Sequence, residues 1–185
     1  WYPAPGETEW RQSVDREVIA VRKSVGVCDV STLGKIDIQG RDAGIFLNRV
    51  YANEFAKLPI GKTRYGVMLR EDGIVMDDGT TARLGKTHYL MTTTTANAVT
   101  VFRHLQFCHQ CLWPDLDVHL ISVTEQYAQF AVAGPNARRL LEKLIDPKAD
   151  ISTDAFPLLA CGTLPLFAGL TARSCRLSFS GDLSY

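Results

Sequence analysis

The stretch RYGVMLREDGIVMDDGTTAR, residues 64–83, constrains the fold more than any other part of the chain. Two strand-like runs, 64–69 and 73–76, flank the turn Arg70-Glu71-Asp72-Gly73. An Asp-Gly between alternating runs is a strong short-range hairpin signal. Such a hairpin carries Tyr65, near the start of one arm, toward the adjacent acids Asp77 and Asp78 at the end of the other. Successive side chains on a strand face opposite ways, so at most one of the two acids shares a pocket with a given partner while the strand stays regular. One carboxylate is expected to be available for chemistry, and the other to hold backbone.

The remaining segments surround this hairpin with single helices and further strands. Trp10, Val14, Val18, Val21 and Val25 recur at steps of three and four and predict an amphipathic helix ended by Gly26. The charges on its other side, Arg16 and Arg22 among them, read as a solvated face. Residues 27–39 read as two short strands around Ser31-Thr32-Leu33-Gly34. A helix then starts at Gly40-Arg41-Asp42, with Asp42 in the first turn, where a negative charge suits the helix dipole. The β-branched run 87–95 predicts a strand of the same sheet, and 96–112 a helix that Pro114 stops. Strands are expected at 117–123 and 126–133, then a helix at 137–145 with Pro135 suited to a first-turn position, and a closing pair at 164–170 and 171–179. Strands in runs with helices interleaved singly give an α+β class with mostly antiparallel sheets.

Charge excludes some partners. Lys+Arg and Asp+Glu stand at 20 each, so nothing global draws the chain to nucleic acid or to an anionic membrane. No run approaches the ~20 apolar residues of a membrane span. Five cysteines, an odd number at irregular spacing, argue against a secreted disulfide framework and for a reducing cytoplasm. Cys108-His109-Gln110-Cys111 lies at the end of a helix rather than its start, with no second CxxC or paired histidines, and reads as two ordinary thiols. The four histidines are scattered, so no metal site is expected, and no glycine-rich nucleotide loop occurs. The chain opens on Trp1-Tyr2-Pro3 and stops at Tyr185 within an apolar run, and is expected to be a piece of a longer polypeptide.

Several blocks taken together point to a family. The series REVIAVRKSVGVCDVSTLGKIDIQGRDAGIFLNRVYAN, RYGVMLREDGIVMDDGTTARLG, HYLMTTTTANA, QFAVAGPNAR and RLSFSGDLSY resembles the folate-binding aminomethyltransferase family along essentially the whole chain. Within it, the resemblance is to the C-terminal region of alpha subunits of heterotetrameric sarcosine oxidases, with glycine-cleavage T-proteins and dimethylglycine dehydrogenases more distant.

This resemblance implies one folate-binding region over residues 1–185, with the family's C-terminal barrel absent. It implies a tetrahydrofolate site in which Tyr65 lies against the folate and Asp78 is the acid–base group. The family's later Tyr-Thr-Gly-Glu turn corresponds to Phe179-Ser180-Gly181-Asp182, whose acid would hold the pterin. Here Asp replaces Glu, one methylene shorter, and Phe replaces Tyr, without the hydroxyl. The implied activity is capture, as 5,10-methylenetetrahydrofolate, of the methylene group from an oxidised N-methyl amine. Other oxidase subunits are the implied partners, and FAD, FMN and NAD belong elsewhere in the complex. The alternatives from other classes are a non-catalytic folate-binding module and a subunit-interaction module.

Overall fold

The computed structural model describes residues 3–185. Along the chain the elements are α1 (Trp10–Lys23), β1 (Gly26–Asp29), β2 (Gly34–Gln39), α2 (Ala43–Val50), β3 (Lys62–Leu69), β4 (Val75–Gly85) and β5 (His88–Thr93). They continue with α3 (Ala98–Phe107), which runs into a π turn at Cys108–Leu112, then β6 (His119–Ser122), β7 (Phe130–Ala133), α4 (Ala137–Leu141), β8 (Cys161–Pro165) and β9 (Thr171–Cys175). The class is α+β, and every strand pair is antiparallel. The chain divides into two units, one of residues 30–128 and 159–162, the other of the remaining described residues.

The first unit is a five-stranded sheet in the order β3-β4-β5-β2-β6. Strand alternation sorts its side chains into two sets. Ile36 and Ile38 of β2, Tyr89 and Met91 of β5 and Met68 of β3 face α2 and α3 and are buried. α2 is held there because Ala43, Phe46, Leu47 and Val50 recur at helical spacing, and all four are buried. Phe46 also meets Trp113 edge-on at 6.0 Å. Val101, Leu105 and Cys108 give α3 and its π extension the same kind of face. The opposite face of the sheet carries Tyr65, Asp78, Thr80, Thr92 and Lys35, two of which are candidate site residues.

The hairpin turn is closed by Arg70 N–H donating to the Ile74 carbonyl at 2.8 Å and by the Asp72 carboxylate accepting Ile74 N–H at 3.0 Å. Gly73 adopts φ 81°, a left-handed conformation that glycine enters without steric cost. The second arm is longer than the sequence indicates. It runs past Gly79 to Gly85 because Thr80, Thr81 and Ala82 keep the pairing with β3.

In the second unit β1 pairs with β7, and Tyr185 exchanges both backbone hydrogen bonds with Val132 on the far side of β7 (3.0 and 2.9 Å). β8 and β9 form a hairpin that turns through Ala168 (φ 59°). β7 and β9 are shorter than the sequence suggests, and Pro135, expected in the first turn of α4, lies before it, with Asn136 at the N-cap position. The apolar stripe of α1 is not a buried face. Trp10 and Val18 are exposed, whereas Ser13 is buried because its hydroxyl bonds the Glu7 carboxylate and accepts Ala4 N–H.

Candidate functional site

Tyr65 and Asp78 meet on the open face of the β3–β4 pair. The register sets Tyr65 opposite Thr80, which makes Asp78 its diagonal neighbour on the same face. The Tyr65 hydroxyl donates to Asp78 Oδ2 at 2.7 Å. That bond to an anion holds the Tyr65 phenol above its ordinary pKa, and partial desolvation adds to the effect. Tyr65 is 51% exposed, and with its hydroxyl hydrogen given to Asp78 the pair presents an aromatic ring, a phenol oxygen that can accept, and an anion to an arriving ligand. Asp42, expected within the first turn of α2, stands just before it, accepting Asp117 N–H at 3.0 Å.

Asp77 points the other way and is 5% exposed. Its carboxylate accepts Thr94 N–H (3.1 Å), the Thr94 hydroxyl (2.6 Å) and the Asn97 amide (3.2 Å). The same Asn97 nitrogen donates to the Met76 carbonyl at 3.1 Å. A buried carboxylate needs such donors to remain charged, and here they tie the end of β4 to the connection between β5 and α3. Below the pair, burial pushes the Tyr51 phenol up, and the charges of Asp77 and Asp78 act in the same direction.

Lys35, in register with Thr92, is 3% exposed. Its ammonium donates to the carbonyls of Ser31 (2.9 Å) and Leu33 (2.8 Å), pinning the turn before β2. Thr32, from that turn, shares a hydrogen bond with Thr95 at 3.1 Å. The sequence singles out neither Lys35 nor the contacts of the 92–95 threonines. The signal was the repetition of threonine itself, which supplies hydroxyls as well as strand propensity.

Asp182 belongs to the second unit. There Arg22 Nη1 donates to both of its carboxylate oxygens at 2.9 Å, and the Ser180 hydroxyl donates to Oδ2 at 2.9 Å. Arg22 is therefore an ion-pair partner and not simply part of a solvated face. Of the three sequence-derived site residues, the structure brings Tyr65 and Asp78 together, while Asp182 is held by Arg22.

The CxxC segment falls in the π turn, where Cys108 is buried and Cys111 exposed, both as free thiols. Burial pushes the Cys108 thiol up, away from a reactive thiolate. Among the described residues no group of three His, Cys, Asp or Glu side chains is disposed to hold a metal ion. Nor, among the described residues, is any helix long and apolar enough to cross a membrane.

Known proteins share both sequence and fold with this chain. Sarcosine oxidase subunit alpha of Rhizobium meliloti (strain 1021) is 58% identical over 187 residues, which cover 100% of the chain and 19% of that subunit. The chain thus spans about a fifth of the length of that relative. The crystal structure of glycine cleavage system aminomethyltransferase T from Bartonella henselae superposes with a TM-score of 0.74 at 21% identity, over 91% of this chain and 43% of that one. Heterotetrameric sarcosine oxidase from Corynebacterium sp. U-96, in complex with pyrrole 2-carboxylate, gives a TM-score of 0.62 at 15% identity, over 94% of this chain and 80% of that one. Residues 1–185 match the GCVT N-terminal domain throughout, and the chain belongs to that family.

Proposed function

We propose that this region forms part of a tetrahydrofolate site in a sarcosine oxidase alpha subunit, where the methylene group released by amine oxidation is captured as 5,10-methylenetetrahydrofolate. The observation that carries the reading is the Tyr65–Asp78 hydrogen bond on an open sheet face. The 58% identity to a sarcosine oxidase subunit alpha supplies the context. The whole complex would be cytoplasmic and contain further subunits, with FAD, FMN and NAD bound outside this region.

Oxidised sarcosine is a methylene iminium. Attack by one folate nitrogen at its carbon forms a C–N bond, the amine departs, and the second folate nitrogen closes the ring. Each nitrogen loses its proton as it bonds. Asp78 is suited to both tasks: as an anion it stabilises the iminium charge, and within hydrogen-bond reach it takes the proton and returns it to the leaving amine. Tyr65 forms a wall for the folate and orients the carboxylate through its 2.7 Å bond. Asp182 has two oxygens matched to adjacent donors on a pterin's aminopyrimidine. To use them it must exchange Arg22 for the ligand.

In the intact enzyme, Asp78→Ala is expected to spare sarcosine oxidation while methylenetetrahydrofolate formation falls and free formaldehyde accumulates. Unchanged folate product would remove Asp78 from the reaction. A specific observation favours a second reading, that of a subunit-interaction module: Trp10, Val18 and Ile19 of α1 and Val27 and Phe130 of the β1–β7 pair are exposed. Calorimetry of the intact subunit with tetrahydrofolate separates the two, because the interaction module gives no heat.

A further inference from the structure

Asp78 lies at a point where the sheet's hydrogen-bond ladder changes hands. The β4–β5 register begins at Thr81↔Met91 and continues through Ala82↔Leu90. Carried toward the hairpin tip, it would set Thr80 against Thr92 and Asp78 against Thr94, backbone to backbone. Side chains make those links instead. Thr80 N–H donates to the Thr92 hydroxyl (3.0 Å), and that hydroxyl donates to the Thr80 carbonyl (3.1 Å). With its one hydrogen so used, the Thr92 hydroxyl accepts from the Thr80 hydroxyl at 3.0 Å. Thr94 N–H, which a continued ladder would give to the Asp78 carbonyl, goes to the Asp77 carboxylate.

Backbone crowding accompanies this substitution. A Cβ on Gly79 would stand 2.1 Å from the Thr92 carbonyl oxygen, so only glycine fits between Asp78 and Thr80. β4 therefore leaves β5 just before Thr81 while staying paired with β3 through Asp77. From there Asp78 travels with Tyr65 on a two-stranded tongue, attached to β5 and the following turn through the Thr92 hydroxyl, the buried Asp77 carboxylate and the Asn97 amide on the Met76 carbonyl.

We propose that Thr92 and Asp77 are positioning residues for Asp78: their side chains replace the backbone ladder and set the distance of the Asp78 carboxylate from the rest of the sheet face. The proposal rests on the reading of Asp78 as the proton-accepting group. Neither residue needs to touch the substrate. A displacement of about 1 Å at a reacting group can cost as much as ~100-fold in rate, so the length of these links governs turnover more than ligand retention.

The test uses the intact oxidase with sarcosine and tetrahydrofolate, and reads the ratio of methylenetetrahydrofolate to free formaldehyde, the KM for tetrahydrofolate, and the melting temperature. Asp78→Asn is the reference. Thr92→Val, which keeps shape and removes the hydroxyl, is expected to lower the ratio about tenfold or more, with KM changed less than about twofold and Thr92→Ser restoring the ratio. Asp77→Asn, which shortens no arm but removes the charge, is expected to act in the same direction and provides the result should Thr92→Val fail to fold. If Asp78→Asn lowers the ratio while both isosteric variants leave it unchanged, the positioning role is overturned and the reading of Asp78 stands. A loss carried by KM alone, or one that Thr92→Ser shares together with a lowered melting temperature, also overturns it. If Asp78→Asn leaves the ratio unchanged, the functional reading itself fails.

Discussion

Asp78 and Asp182 are the two carboxylates with a ligand role implied by family resemblance, and they have opposite surroundings. Asp78 is bound by a neutral phenol on a strand pair whose inner face is packed against helices. Asp182 is bound by a guanidinium through both oxygens, in a turn whose neighbour Phe179 is fully exposed. A phenol partner leaves the anion's charge in place for an arriving cation, whereas a guanidinium neutralises it. The first acid is poised for chemistry and the second is latched, and the contrast predicts unequal responses to perturbation.

The largest effect is expected from the support beneath Asp78. Asp77→Ala removes the acceptor of the half-buried Thr94 N–H and hydroxyl and leaves the Asn97 amide with the Met76 carbonyl alone, and the loss is expected to be about 2 kcal/mol in urea denaturation. A loss under about 1 kcal/mol would mean that the tongue is not anchored through Asp77. A smaller effect is expected at the latch. The Arg22–Asp182 pair has a half-exposed guanidinium, so Arg22→Ala is expected to change stability by less than about 1 kcal/mol. If Asp182 serves the pterin, that substitution also tightens tetrahydrofolate binding by the intact subunit. Weakened binding would make Arg22 part of the site and erase the contrast.

The smallest effect is a pH dependence confined to the unit that holds the latch. Hydrogen bonds from Arg16 and Ser13 hold Glu7 down at about 2, against an ordinary 4.5. Its folded-state pKa lies below the unfolded one, so its contribution is present above pH 4.5 and is lost as the pH falls toward about 2. Glu7→Gln should remove that part of the acid transition, and an unaltered acid profile would show the pairing to be idle.

The sequence made the hairpin legible because its determinants are local: an Asp-Gly turn, alternation on both arms, and the parity rule that sends Asp77 and Asp78 to opposite faces, although which of them is outward came from the family resemblance and not from parity. The helix α2 was legible for the same reason, since its four buried residues lie within one run. The length of β4 was not, because Gly79 looks like an interruption until the nearby Thr92 carbonyl shows why glycine is required. The hydroxyl link from Thr92 was hidden behind strand propensity, which explains a threonine without asking where its hydroxyl goes. The Arg22–Asp182 pair joins residues 160 positions apart, beyond any local pattern. For α1, periodicity located the helix but not its burial, because an apolar stripe records a capacity to pack and not the presence of a neighbour.

Lys35 has a further consequence. Across β3, β4, β5 and β2, the row beside Asp78 runs Tyr65, Thr80, Thr92, Lys35. An electrophilic one-carbon unit condenses readily with any amine that reaches it unprotonated. Lys35 is buried, and its amine is engaged by two carbonyls. What the row offers such a unit is a phenol and hydroxyls, so the face that would handle a reactive carbon is shielded from covalent damage by its own lysine.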